Sequence, residues 1–349
     1  MALDVVDWDL ALATGGRLAP KGPDLQLSDA REAVLQLRSL ADQAVLPVRE
    51  CTGMVTASDA PQAAVIDRQA WIESNIDAFR YVLAPILSRL RETAGSGAVN
   101  QVGARLTGVQ LGGVLAWLSG KVLGQYEALT PPGATPRLML LAPNIVRVAE
   151  TLEVDQRDFQ MWVCLHEETH RVQFTAVPWL SNHFAGEVQA LVAGSDVPTS
   201  ELLKRTRDIL GALVAVLRGR DGATALLRAV QTPAQREIFD RLSALMTLLE
   251  GHADVVMDDV GPAIVPSVEV IRSRFNTRRK DPGTMDSIAR RALGMDAKMR
   301  QYAEGAVFVR GVIAEVGMPG FNRIWESPAA LPSLAEIAAP TEWVARVHG

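Results

Sequence analysis

His166-Glu167-Glu168-Thr169-His170 places two imidazoles four residues apart with an acid between them, and about eighty residues later Glu250-Gly251-His252-Ala253-Asp254 places two carboxylates four apart. On a helix, four residues turn a side chain by only about 40°, so each pair shares a face. Two such histidines reach one tetrahedral zinc ion from consecutive turns. Glu167, offset by about 100° from His166, stands beside the metal, where its carboxylate can accept a proton from water. Hydrolytic zinc takes a third protein ligand and keeps one position open. Glu250 is the candidate for that ligand. Asp254, one turn later, is placed to accept the free ring N–H of a ligating histidine.

Both motifs need helices to work, and the surrounding sequence supplies them. Residues 155–174 carry Met161, Trp162, Leu165 and Val172 at helical spacing, with no internal Pro or Gly. Thr232-Pro233-Ala234-Gln235 reads as a helix start. The apolar stripe Ile238, Phe239, Leu242, Leu245, Met246 and Leu249 then runs toward Glu250 and is expected to stop at Gly261-Pro262. A carboxylate at the border of such a stripe has to be solvated, paired or bound to metal, because burying it alone is costly. Beside an HExxH motif, the metal reading is preferred.

The pattern resembles the gluzincin metallopeptidases, in which an HExxH helix and a later ExxxD helix carry the ligands. Carried over by position, the resemblance makes His166, His170 and Glu250 ligands of Zn2+, Glu167 the general base and Asp254 the second-shell partner. A metzincin site is excluded, since it would need Gly at Gln173 and His at Ala176. The gap between the motifs is long, which implies an inserted helical segment. HEETHRVQF, EGHADVVMD, KMRQY and FNRIWESP also resemble an uncharacterised family of zinc-dependent metalloprotease-like proteins, common in actinobacteria and associated with biosynthesis of a deazaflavin coenzyme. That resemblance covers most of the chain from about residue 100 onward and implies a mainly helical, zincin-like fold.

The 349 residues, 48% of them hydrophobic and only 5% aromatic, are enough to bury a large core. A net charge of −5 argues against a general nucleic-acid binder; the cluster Arg272, Arg274, Arg278, Arg279 and Lys280 reads as a solvated loop. Two cysteines, Cys51 and Cys164, give no disulfide framework, and Met1-Ala2-Leu3-Asp4 does not open a signal peptide, so a cytoplasmic protein is expected. The longest uncharged stretch, 106–120, is shorter than the roughly twenty residues that span a bilayer. Gly108, Gly112, Ala116, Gly120 and Gly124 recur every four residues on a helix expected to reach about residue 127, a small-residue ridge for internal packing, with a homodimer seam as the alternative.

Further helices are expected at 28–46, 66–92, 201–217, 223–230, 285–293 and 296–316. Arg137-Leu138-Met139-Leu140-Leu141 is the best strand candidate. In zincins an edge strand upstream of the HExxH helix pairs with an extended substrate, and this segment is expected to take that place. The fold class is therefore mainly α, a zincin-like core with at most a small β-sheet and extensive helical additions. Thr130-Pro131-Pro132-Gly133 marks a boundary between a helical lobe, 1–132, and a catalytic lobe, 133–349, or a turn within one continuous domain. The expected activity is zinc-dependent hydrolysis of a peptide. A zinc-binding scaffold without activity and a small-metabolite amidohydrolase are the alternatives. His183, His252, Arg300 and Tyr302 are candidate donors to the oxyanion.

Overall fold

The computed structural model describes residues 5–56, 62–94, 101–131, 133–193, 233–280 and 295–349. Helices α1 (Trp8–Leu18) and α2 (Leu27–Thr52) lead to a short strand, β1 (Ala64–Ile66). Helices α3 (Arg68–Ala94) and α4 (Gln101–Ser119) follow, then β2 (Gly124–Tyr126), β3 (Leu138–Leu141), α5 (Ala142–Leu152), α6 (Gln156–Ala176) and α7 (Leu180–Ala193). The chain continues through α8 (Pro233–Ile264), α9 (Val268–Lys280), α10 (Met295–Phe321), α11 (Leu334–Ala338) and α12 (Pro340–His348). The fold is mainly α with one three-stranded sheet, ordered β1-β3-β2.

The sheet explains why residues 138–141 are apolar without a break. β3 lies in the centre, parallel to β1 and antiparallel to β2. Its side chains alternate between two cores: Leu138 and Leu140 join the larger one, built around α2, α6, α8 and α10, while Met139 and Leu141 join a smaller one with α1, α3 and α4. Paired along both edges, β3 cannot be the edge strand expected of it. That position belongs to β2. The boundary expected at 132/133 runs through the β2–β3 connection, and strands from both sides of it form the one sheet.

Helix α4 ends at Ser119, several residues before the expected 127. Backbone bonds from Gly120 to Trp117 and from Lys121 to Leu118 close its last turn. The buried Asn144 amide of α5 then donates to the carbonyls of Ser119 (2.7 Å) and Val122 (2.5 Å), fixing how the chain leaves α4 and enters β2. The glycine ridge is therefore two features. Gly108 and Gly112 lie against the backbone of Asp7 and Ala11 at the start of α1, and Gly120 lies against Pro20, so internal packing fills that face. Gly124 belongs to the sheet.

Helix α6 is capped by Asp155, whose side chain accepts from Asp158 N at 2.9 Å, and it gives way at Val177-Pro178. It is buried on almost every side, which is why its sequence shows no wide polar face. Cys164 is fully buried in the core, where burial pushes its thiol up. Helix α8 continues past Gly261-Pro262 to Ile264, because a proline in the last turn removes one hydrogen bond without ending the helix. α8 crosses α10 at Gly251 and Gly305, so close that a Cβ on either would overlap the other helix's backbone. The basic cluster at 272–280 is helical, not a loop: Arg272 pairs with Asp258 at 2.5 Å, and Arg274 donates to the carbonyl of Leu152 at 2.8 Å. The helices expected at 201–217, 223–230 and 285–293, and the cap at Thr232, lie outside the described residues.

Among the described residues, no helix is long and apolar enough to cross a membrane.

Candidate metal centre

Helices α6 and α8 pack side by side and bring three side chains of the two motifs to one point. His166 Nε2 and His170 Nε2 lie 3.1 Å apart, and Glu250 Oε2 lies 3.5 Å from the first and 3.7 Å from the second. Among the described residues, these three form the group able to hold a metal ion. A tetrahedral zinc ion with bonds of about 2.0–2.2 Å has ligand–ligand edges of about 3.3–3.6 Å. The observed edges of 3.1, 3.5 and 3.7 Å bracket that range.

The proton positions support the same reading. His166 Nδ1 faces Met257 Sδ at 3.1 Å, and a thioether can only accept, so the ring proton sits on Nδ1. His170 Nδ1 faces Gln173 Oε1 at 2.9 Å, which places its proton on Nδ1 as well. Both Nε2 lone pairs then converge with a carboxylate oxygen on one spot. Three electron-rich atoms at these distances require a cation or a proton between them. The donor set of two imidazoles and a carboxylate is that of hydrolytic zinc sites.

The electrostatics follow from burial and from these contacts. Burial alone would raise Glu250, but His166 and His170 outweigh it and hold this carboxyl well below the usual range. Burial would likewise lower His170, yet hydrogen bonding and charge from Glu250, with help from Glu167 and Gln173, push it up to about 9 in the absence of metal. Glu167 is 6% exposed, and its pKa is raised, first by burial and then by Glu250, against the pull of the two histidines.

Glu167 is positioned by the sheet. Gly124, the first residue of β2, passes so close to α6 that a Cβ there would lie 2.5 Å from Glu167 Cγ and Cδ. Glycine at this point leaves the carboxylate its space. The flexible end of Glu167 can yield to a larger residue at little cost to the fold, but the base would move. A displacement of about 1 Å costs on the order of 10²-fold in rate. Gly124→Val is expected to lower turnover by about that factor while zinc content and thermal midpoint stay near parental, measured by metal analysis, calorimetry and kinetics on the same preparation.

The four residues open onto a cleft of about 650 Å³. β2 forms one wall, where Glu127 takes Arg137 in a two-point ion pair (Nε to Oε2 2.9 Å, NH2 to Oε1 2.6 Å) and accepts from Ser74 Oγ at 2.6 Å. Phe174, stacked on Tyr126 at 5.5 Å, and Phe184 line the side nearest His170.

Other sequence expectations fall elsewhere. Asp254 makes no bond to either ring among the described residues; its carbonyl accepts from Arg272, and the ring protons go to Met257 and Gln173 instead. Met257, two turns after Glu250, meets His166 Nδ1, and Gln173 of α6 itself meets His170 Nδ1, so both positions that Asp254 could serve are taken. His252 is fully buried between Phe321 and Trp325, facing away from the cleft, and burial pushes it down to about 3. His183 packs on Trp179 outside the cleft lining. The side chains of Arg300 and Tyr302 lie outside the described residues. Gly124, Gln173 and Met257 were not singled out for the site. Of these, Gln173 had a visible signal, lying three residues after His170 on the same helical face.

An HExxH helix packed under an edge strand, with a glutamate from a second helix completing the triangle, gives a zincin-like arrangement able to hold a metal on a mainly helical frame. The profile of the zincin-like metallopeptidase family matches residues 6–344, and the chain belongs to that family. It is also similar, at 29% identity and a TM-score of 0.67, to a protein from Chloroflexus aurantiacus whose crystal structure was provisionally described as that of a hydrolase with a novel fold; 98% of this chain and 99% of that one are covered. No match was found among curated proteins.

Proposed function

We propose that the protein is a zinc-dependent metallopeptidase of the gluzincin type, with His166, His170 and Glu250 as ligands and Glu167 as general base. The observation that carries this reading is the 3.1, 3.5 and 3.7 Å triangle of ligand atoms beside a buried carboxylate. Zinc, when bound, supplies an electrophile and lowers the pKa of water toward neutrality. Glu167 takes a proton from the attacking water on its carboxylate and returns it to the leaving amide nitrogen. Its raised pKa suits a group that must both accept and release.

β2 supports a peptide as substrate. Leu123, Gln125 and Glu127 direct their main-chain groups toward β3, as the bonds from Leu141 N to Leu123 O and from Glu127 N to Arg137 O show. In an antiparallel strand the alternate residues, Gly124 and Tyr126, turn theirs to the unpaired edge, where Tyr126 O also accepts from Ala128 N at 2.9 Å. An extended chain laid there gains main-chain hydrogen bonds next to the metal.

The test is metal analysis together with exposure of the protein to a diverse peptide mixture, read by mass spectrometry. One zinc per chain is expected, with cleavage that stops on chelation and returns on adding Zn2+. Zinc at full stoichiometry with no cleavage of any peptide would instead favour a scaffold role, and cleavage confined to small amides would favour an amidohydrolase.

A further inference from the structure

We propose that Gln173 is the positioning residue of the metal centre, and that it does the work usually done by a carboxylate that accepts the free ring N–H of a ligating histidine; the proposal rests on the zinc reading above. The Gln173 side chain makes three bonds at once. Its Nε2 donates to the Leu249 carbonyl at 2.9 Å and to His252 Nδ1 at 3.0 Å, and its Oε1 accepts from His170 Nδ1 at 2.9 Å. Both amide hydrogens and the carbonyl are thus engaged, in a side chain that is fully buried.

The order of these bonds is dictated by one fixed group. A backbone carbonyl can only accept, so Leu249 O forces the NH2 end of the amide to its side. The carbonyl end is then turned to His170, whose Nδ1 must carry the proton. With Nδ1 protonated, the lone pair of His170 lies on Nε2, the atom that meets His166 and Glu250. One main-chain oxygen on α8 therefore sets the tautomer of a ligand on α6.

Gln173 also ties the two motifs in register. Leu249 immediately precedes Glu250, and His252 follows it by two residues. A side chain from the HExxH helix thus holds the second helix on both sides of the third ligand, by the main-chain carbonyl of Leu249 before it and by the ring of His252 after it. His252 is the anchor: packed between Phe321 and Trp325, it offers Nδ1 as acceptor, and its Nε2 has no hydrogen-bond partner among the described residues. A histidine kept fully buried with one nitrogen unpartnered is explained by the bond the other nitrogen makes. His166 is held more weakly, since among the described residues its Nδ1 meets the Met257 thioether, a weak acceptor, so the burden of orientation falls on Gln173.

The test uses the full chain with Zn2+ and Co2+ as probes. Zinc affinity is measured by competition with a chromophoric chelator, and ligand geometry by the visible d–d spectrum of the cobalt form. Gln173→Met keeps length and apolar bulk but removes all three bonds. It is expected to weaken zinc about 10–100-fold and to shift the cobalt bands, a change that a loss of general stability does not produce. His252→Phe fills the space between the two aromatic rings and removes only the anchor; a loss of at least threefold in affinity, with a smaller shift of the same bands, is expected. It also serves if Gln173→Met does not fold. Parental affinity and an unchanged spectrum in the folded variants would overturn the positioning role. His166→Ala, run in parallel, separates the two levels: if the parent chain takes up no zinc, or this variant takes it up equally well, the metal centre itself is wrong and the role of Gln173 falls with it.

Discussion

Glu167→Gln is expected to lower kcat/KM for any cleaved peptide by about 10²–10⁴-fold, the usual weight of a positioned general base, while the chain keeps its zinc. The amide has the shape of the carboxylate but cannot take the proton. Glu167 contributes no atom to the triangle formed by His166, His170 and Glu250, so metal affinity should change little. The fold should tolerate the change, because replacing a buried acid of raised pKa by a neutral isostere removes a desolvation cost. Gly124 leaves the space that the amide needs, as it does for the acid. Comparison of zinc content, thermal midpoint and turnover on one preparation checks all three statements. A variant that retained parental turnover would remove Glu167 from the reaction and leave the metal without a base.

The two motif helices were legible because each depends on local spacing alone. Met161, Trp162, Leu165 and Val172 repeat at helical intervals, and so do the apolar residues that lead to Glu250. That periodicity also fixes which side chains share a face, which is why His166, His170 and Glu250 converge as their spacing implies. Strand β3 was visible as an unbroken apolar run, but its place in the sheet was not: a central strand differs from an edge strand in having a second pairing partner, and here that partner, β1, comes from more than seventy residues upstream.

The details that failed are all matters of tertiary contact. Gly124 completed a four-residue repeat and so read as helical, although the bonds that Asn144 makes to Ser119 and Val122 turn the chain before that residue. Asp254 had the right spacing for a ring partner. Met257, seven residues after Glu250, makes the contact with His166 instead, and spacing within one helix does not tell which of its residues meets a ring on another. Arg272 and Arg274 looked solvated because their partners, Asp258 and the carbonyl of Leu152, lie on other elements. Composition reveals which side chains seek partners, and the fold decides which ones they find.

Glu250→Ala is expected to abolish stoichiometric zinc binding and with it all zinc-dependent cleavage. Two imidazoles alone leave the ion with half of its tetrahedral ligands to be found from water, and the charge that neutralises part of the cation is lost. The substitution has a second signature in the metal-free chain, where the carboxylate of Glu250 and the protonated ring of His170 hold each other in place. His170 has its pKa raised from 6.5 to about 9, so the stability it contributes is fully present below pH 6.5 and is lost as pH rises through about 9. Glu250 has its pKa lowered from 4.5, so its contribution is present above pH 4.5 and is lost as pH falls toward the depressed value. These are two views of one pair and are not added. The metal-free parent should therefore be most stabilised by this pair between about pH 4.5 and 6.5 and lose that stabilisation toward pH 9, whereas Glu250→Ala should lack the decline. In the variant, the His170 ring titration followed by proton NMR should fall well below 9, since burial is left with less to oppose it. A Glu250→Ala chain that still takes up zinc at full stoichiometry, and whose metal-free form keeps the parental His170 titration, would show that the carboxylate never faced the rings.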